Sequence, residues 1–383
     1  MLKLVQNDPY LQPYEGALQA RLDYAKRREY ELTNGHPLNE WADGYLYFGL
    51  HNDGKEWILR EWAPNATAIY VKGDFNNWDK REEWRLKRLD NGVWEGRWPM
   101  EWMQHGQLFK LLVEWQGGYG ERIPSYAQRV VQDDNTKLFS AQVWLEHPTT
   151  AKHKAFKGLK KGSPLFIYEC HIGMGGEQEK VSTYEEFRQN VLPRVADLGY
   201  NCIQIMAIQE HPYYGSFGYH VSNFFAASSR FGTPEELKAL IADAHDRGMA
   251  VIMDIVHSHA VKNELEGLGN FDGTPYQYFH AGARREHPAW DSLCFDYGKT
   301  EVLHFLLSNC KFWLDVYGFD GFRFDGVTSM MYLSHGLGED FNGYPAYFNG
   351  NEDGDAICYL TLANKLIHEV KPWAITIAED ISG

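Results

Sequence analysis

Three apolar segments of this chain each carry a carboxylate, and this recurrence limits the choice of folds most strongly. The segments are Val251–His259 with Asp254, Gly321–Asp325, and Trp373–Gly383 with Glu379. The carboxyl ends of parallel strands meet at one edge of a sheet, and acids at several such ends are the layout of a (β/α) barrel active site. We therefore expect the three acids to converge on one rim.

The second half of the chain alternates between short apolar runs and helical stretches. Helix signals are clear from 233 to 248, which opens with Thr233-Pro234 and closes on Gly248, and again from 301 to 316. Strand, loop and helix in repeating order predict right-handed βαβ units around a parallel sheet. About five strands are visible where a closed barrel needs eight. They lie at about 165–170, 201–207, 249–256, 320–325 and 374–379.

The first half of the chain has a different texture. We predict an N-terminal helical segment over 1–40 whose helix, from 16 to 32, buries one face through Leu18, Leu22 and Ala25. Short alternating runs and Gly/Asn/Asp turns over 41–146 predict a β-sandwich. A lysine-rich linker over 147–164 follows, and the incomplete (β/α)8 TIM barrel occupies 165–383.

Composition excludes several classes of partner. The chain has 37 basic and 52 acidic residues, for a net charge of −15, which argues against a nucleic-acid partner. No run of 18 apolar residues exists to span a membrane, and the first residues do not resemble a signal peptide. The five cysteines are dispersed, which predicts reduced thiols and a cytoplasmic location. No feature of the sequence indicates an oligomeric state.

Paired carboxylates are what glycosidic bond cleavage requires: one attacks the anomeric carbon or activates water, and the other protonates the leaving oxygen. Arg323 lies two residues before Asp325, on the same side of a strand. We expect this guanidinium to lower the pKa of Asp325 and keep it ionised as a nucleophile. Glu379 ends an apolar strand, and we expect it to be desolvated and held protonated as an acid.

A metal site is the alternative interpretation of the same region. His257 and His259, together with Asp254, could bind zinc. No further histidine or cysteine has a matching spacing, and no glycine-rich phosphate motif is present. We therefore expect neither a metal nor another cofactor.

The motifs themselves resemble a known family. The three acid-bearing segments are similar to the first three signature regions of the α-amylase superfamily, glycoside hydrolase family 13, and Gly73–Trp78 resembles carbohydrate-binding module family 48. Four further motifs resemble the 1,4-α-glucan branching enzymes of that superfamily. They are Arg122–Tyr126, Ser216–His220, Phe224–Gly232 and Gly321–Met330.

The resemblance implies a substrate and a set of roles. An α-1,4-glucan (glycogen, amylose or starch) would be cleaved by a retaining mechanism with a covalent glycosyl-enzyme intermediate and rejoined to a 6-hydroxyl. The two carboxyl groups would lie about 5–5.5 Å apart. The implied roles are nucleophile for Asp325, acid/base for Glu379, sugar binding for Arg323 and His259, stacking for Tyr219, and support for Asp254.

The chain also departs from the family pattern. The fourth signature region, a His-Asp pair at a later strand end, is absent, so we expect a C-terminally truncated piece that is inactive or very weak alone. Its open sheet edge should favour aggregation. Two other functions stay open: an α-glucan hydrolase of amylase or debranching type, and a glucan-binding protein without catalysis. On the sandwich, Trp78 is the candidate sugar platform, whereas the neighbouring tryptophans fit a core equally well.

Overall fold

The computed structural model describes residues 1–146, 153 and 155–380. The chain begins with short helices, continues into two packed antiparallel sheets, and ends in a parallel sheet covered by helices. The N-terminal helices are α1 (Lys3–Asn7), α2 (Glu15–Thr33), α3 (Leu38–Trp41) and α4 (Gly44–Tyr47).

The sandwich consists of two antiparallel sheets with strand orders β1-β2-β5-β4 and β3-β6-β9-β8, and β7 pairs with β6. Apolar side chains of both sheets meet between them, including Phe109, Leu111 and Val113 of β6. The strands are β1 (Gly49–Asn52), β2 (Glu56–Trp62), β3 (Ala68–Gly73), β4 (Lys87–Arg88), β5 (Val93–Pro99), β6 (Leu108–Trp115), β7 (Gly118–Arg122), β8 (Val130–Gln132) and β9 (Phe139–Gln142).

The second half of the described chain forms a five-stranded parallel sheet of order β10-β11-β14-β17-β18. The prediction of a sandwich followed by part of a (β/α)8 barrel is confirmed. The elements are β10 (Ile167–Cys170), α5 (Tyr184–Asn190), α6 (Leu192–Asp197), β11 (Cys202–Ile205), β12 (Gln209–Glu210), β13 (Asn223–Ala227), α7 (Pro234–Asp246), β14 (Ala250–Ile255), β15 (Ala260–Val261), β16 (Ser292–Leu293), α8 (Thr300–Phe312), β17 (Gly321–Phe324), α9 (Val327–Met331), α10 (Gly354–Val370) and β18 (Ile375–Ala378).

Local signals explain where the barrel helices begin and end. Thr233 caps α7 and exchanges hydrogen bonds with Glu236, a reciprocal capping box that satisfies two free amide groups of the first turn. Helix α8 passes into a π-helical turn over Trp313–Tyr317 and stops at Gly318, whose backbone is left-handed. Both helices therefore follow the sequence prediction closely.

A glycine fixes the spacing of the two strands that carry the last two acids. Gly321 has φ +142, and a Cβ there would lie 1.8 Å from the carbonyl oxygen of Ile375. Only glycine allows β17 and β18 to pair at this distance without strain. In the part of the chain that the structure describes, no further strand pairs with β10 or β18.

Helix α2 packs against α10, but its buried face differs from the prediction. Ala25 is buried as predicted and Leu18 is half-buried, whereas Leu22 is 40% exposed. Arg21 and Arg28 occupy the inner side instead: Arg21 donates to the Tyr347 carbonyl oxygen and Arg28 to that of Gly298. The prediction for Leu22 is wrong because the partner surface offers carbonyl oxygens that arginine satisfies.

The expected linker over 147–164 is described only in part. Residues 147–152 and 154 lie outside the described residues, and 155–164 contain neither helix nor strand. Among the helices of the described chain, none is both long and apolar enough to cross a lipid bilayer.

Candidate active site

The C-terminal ends of β14, β17 and β18 meet around one guanidinium group. Arg323 Nη1 lies 3.0 Å from Asp254 Oδ2 and 3.0 Å from Asp325 Oδ1, and its Nη2 lies 2.8 Å from Glu379 Oε1. The register produces this cluster, because Asp254 is the direct neighbour of Arg323 across the β14–β17 pair. One cation thus holds three carboxylates on a single rim.

Asp254 lies deepest in the cluster and is fully buried. The Tyr219 hydroxyl donates to Asp254 Oδ2 at 2.6 Å, and the Gln204 side-chain amide donates to Oδ1 at 2.8 Å. Burial raises the pKa of Asp254 to about 6, although these two donors and Arg323 oppose the rise. With its oxygens occupied by protein groups, Asp254 is built to hold Tyr219 and Arg323 in place.

Asp325 differs electrostatically from the sequence expectation. Burial first, and then the Glu379 carboxylate within hydrogen-bonding reach, raise its pKa from 3.8 to about 7. Arg323 acts in the expected direction but is outweighed. The prediction of a lowered pKa is wrong because the sequence reveals the arginine two residues away, but neither the burial of Asp325 nor the Glu379 carboxylate beside it.

Glu379 is less shielded than expected. Its side chain is 38% exposed, and besides the Arg323 contact its Oε2 accepts the backbone N–H of Gly326 at 2.8 Å. The expectation of a desolvated carboxyl is therefore wrong for this structure. Exposure follows from position, since β18 is an edge strand of the described sheet.

His259 lies beside this cluster with one ring nitrogen bonded and the other open. Its Nε2 donates to the Tyr219 carbonyl oxygen at 2.7 Å, and its buried Nδ1 has no protein partner among the described residues. Burial lowers the pKa of His259 to about 4, so the ring is neutral near pH 7. Nδ1 is thus a bare acceptor, suited to a hydroxyl group.

The two histidines that suggested a metal site do not act together. The Nδ1 of His257 lies 2.5 Å from the Tyr359 hydroxyl, and its Nε2 lies 2.9 Å from Asn309 Oδ1. Both of its ring nitrogens are therefore engaged in the core, and His257 is a packing residue. The metal interpretation finds no support in this arrangement.

An open cavity of about 290 Å³ lies over the two outer acids. Sequence reasoning gave no site role to three residues of this region, Gln204, His220 and Trp290. Gln204 is a polar residue inside an apolar strand and His220 ends the Ser216–His220 motif, so both were detectable, whereas Trp290 gave no signal. The lining residues are Tyr219, His220, His259, Trp290, Asp325 and Glu379.

Trp78 is not part of this cavity. It lies in the turn after β3 with φ +60, is half-buried, and donates its indole N–H to Asp74 Oδ1 at 2.9 Å. Three other sandwich tryptophans, Trp84, Trp94 and Trp98, are buried. The core interpretation therefore holds for these three, while Trp78 keeps a partly free indole.

Two family models match the chain. The model of Carbohydrate-binding module 48 (Isoamylase N-terminal domain) matches residues 47–133, within the sandwich. The model of the alpha amylase catalytic domain matches residues 189–266, within the barrel.

Curated relatives match over almost the whole chain. A 1,4-alpha-glucan-branching enzyme of Aspergillus oryzae is 46% identical over 99% of this chain and 56% of its own length, and that of Felis catus is 46% identical over 100% and 56%. The chain belongs to the 1,4-α-glucan-branching enzyme family. A chloroplastic member from Arabidopsis thaliana is also 46% identical, with 48% of its length covered. The chain thus spans about half the length of the branching enzymes that it matches.

Solved structures agree with the fold of this family member. The catalytic module of the pneumococcal glycogen-degrading virulence factor SpuA superposes with a TM-score of 0.67 at 20% identity, covering 93% of this chain and 52% of that one. The GBS pullulanase SAP superposes with a TM-score of 0.65 at 17% identity, covering 92% and 47%. At these identities the likeness concerns the fold alone.

Proposed function

We propose that this chain carries the catalytic centre of an α-1,4-glucan branching enzyme. The strongest support is the Arg323 cluster, in which Asp254, Asp325 and Glu379 from three strand ends share one guanidinium. The relatives of this chain are branching enzymes. The proposed substrates are α-1,4-glucans such as glycogen, amylose and starch.

In the proposed reaction Asp325 Oδ attacks the anomeric carbon while Glu379 gives its proton to the leaving 4-oxygen, so the glycosidic bond breaks as the ester bond forms. Glu379 then takes the proton of an acceptor 6-hydroxyl, whose oxygen displaces Asp325 and forms the α-1,6 bond. The raised pKa of Asp325 fits a pair that holds one proton. Attack on the anomeric carbon requires the ionised form of Asp325.

The other residues position the sugar. Arg323 and the bare Nδ1 of His259 hold its hydroxyl groups, and Tyr219 provides a flat surface beneath it. Asp254 fixes the tyrosine and the arginine through its two oxygens. Before attack, Glu379 has to leave Arg323, because a carboxylate paired with a guanidinium is a poor proton donor.

We also propose that this span alone turns over weakly. Glu379 and the side chains of β18 are partly exposed, so water enters where an acid needs shielding. A cytoplasmic location remains part of the proposal, since all five cysteines are free and buried.

Proton NMR of amylose incubated with the protein tests the reaction type. Branching predicts a slow rise of α-1,6 anomeric signal with no new reducing ends, and loss of that signal in Asp325→Asn. New reducing ends without α-1,6 signal would make the chain a hydrolase. Glycogen retention that survives Asp325→Asn, with no chemistry at all, would favour a binding protein.

A further inference from the structure

The indole of Trp290 forms one wall of the cavity, and the proposed reaction gives it no role. Trp290 belongs to the long loop between β14 and α8 and is half-exposed. Its ring lies parallel to the imidazole of His287, with centroids 4.0 Å apart and planes 7° apart. It also meets His259 at 5.1 Å and near a right angle. The indole therefore faces the cavity from a packed support.

The support is itself held from two sides. The backbone N–H groups of Ala289 and Trp290 both donate to His287 Nδ1 at 3.1 Å, which leaves Nε2 to carry the proton. Nε2 then donates to Ser329 Oγ at 3.0 Å. Ser329 lies on α9, the helix that begins directly after the Asp325-Gly326 turn. The plane of the indole is thus tied to the catalytic strand end as well as to its own loop.

The indole also reaches the catalytic strand end directly. A Cβ added at Gly326 would lie 3.2 Å from Trp290 Cη2, so the ring edge occupies the space that a side chain would take at the residue after Asp325. The absence of a side chain at Gly326 lets the aromatic ring and the proposed nucleophile approach each other. Tyr219 and Trp290 then present two aromatic surfaces to one cavity.

We propose that Trp290 is a sugar-contacting residue that holds the glucosyl unit next to the one attacked by Asp325. This rests on the proposed function and names a further subsite of the same site. A pyranose presents a face of C–H groups that packs on an aromatic ring, and a ring already fixed in its plane loses little freedom on binding. His287 is the positioning residue, acting only through Trp290.

The test uses the chain labelled with 5-fluorotryptophan, titrated with maltoheptaose and followed by ¹⁹F NMR. The Trp290 resonance is assigned as the one missing from Trp290→Phe. The matched control is Trp373, at the opposite end of β18 and 36% exposed. We expect the Trp290 resonance to move and the Trp373 resonance to stay. A Trp290 resonance that does not move at saturating sugar would overturn the proposal, whatever the other tryptophans do.

Calorimetric titration with the same sugar gives the size of the effect. Trp290→Ala should weaken binding about tenfold, the change expected from losing roughly 50–60 Å² of apolar contact, whereas Trp373→Ala should leave it unchanged. Equal affinity of Trp290→Ala and the parent chain would count against the proposal. Both titrations measure sugar binding and need no turnover. The proposal for Trp290 can therefore be tested even if the branching assay shows no activity.

The role of His287 has its own signature. In His287→Ala the Trp290 resonance should shift or broaden before any sugar is added, and sugar affinity should fall in the same direction as in Trp290→Ala. Thermal unfolding of each variant checks that the fold persists. An unchanged Trp290 resonance in His287→Ala would remove the positioning role.

Discussion

The buried carboxyl of Glu61 gives the clearest handle on the stability of the sandwich. It is completely buried at the end of β2, where it accepts the Ser125 hydroxyl at 2.5 Å and the Ser125 backbone N–H at 2.8 Å. Burial raises the pKa of Glu61 from 4.5 to about 7, although these hydrogen bonds oppose the rise. The folded protein therefore prefers the protonated acid.

The sign and size of the pH effect follow from this shift. The pKa of Glu61 is higher in the folded protein than in the unfolded chain, so the protonated carboxyl contributes to folding stability. This contribution is present in full below the unfolded pKa of 4.5 and is lost as the pH rises through the folded pKa of about 7. The difference between a pKa of 4.5 in the unfolded chain and about 7 in the folded protein corresponds to about 3 kcal/mol of folding free energy. Glu61→Gln keeps the shape and removes the titration.

Urea unfolding of the parent chain and Glu61→Gln at several pH values provides the assay. The difference between the two cancels the other titrating groups, including Asp254 and Asp325. Relative to the parent, the variant should gain up to about 3 kcal/mol between pH 4.5 and a pH above 7. A difference that does not change with pH would refute the reasoning.

Three further predictions concern the barrel. Gly321→Ala should lower the free energy of unfolding in urea by more than about 2 kcal/mol, because a Cβ would meet the Ile375 carbonyl oxygen at 1.8 Å. The control Gly16→Ala, which has open space around it, should be neutral or stabilising. Equal effects of the two substitutions would contradict this. Arg323→Gln should lower the melting temperature and abolish the α-1,6 anomeric NMR signal, because three carboxylates lose their shared cation. Retained activity would contradict the role of the cluster. Arg21→Ala should speed amide hydrogen exchange in residues 344–352, because Arg21 pairs with Glu352 and lies over the Phe348 ring. Exchange in the sandwich should not change. Unchanged exchange in residues 344–352 would show that α2 does not hold this loop.

Features set by neighbouring residues could be predicted from the sequence. Thr233-Pro234 and Glu236 fix the start of α7 within one turn, and alternating apolar residues fix β6. The strand-end acids were visible because each strand and its acid are adjacent in the chain. The convergence of the acids then followed from the rule that parallel strands end on one rim.

Features set by distant residues could not be predicted in this way. The raised pKa of Asp325 depends first on its burial in the fold and then on Glu379, which arrives from the next strand. Leu22 was misplaced because the inner face of α2 meets carbonyl oxygens that belong to loops from the other end of the chain. Trp290 carries no motif, and only the folded β14–α8 loop brings it to Gly326.

The most direct test of the central claim is to trap the covalent intermediate. Incubation with 5-fluoro-α-D-glucosyl fluoride, followed by peptide mass spectrometry, requires one attack per molecule and so tolerates weak turnover. The account predicts a single fluoroglucosyl group on Asp325, and none on the Asp325→Asn variant. An adduct on Glu379 or Asp254, or no adduct on a correctly folded chain, would contradict it.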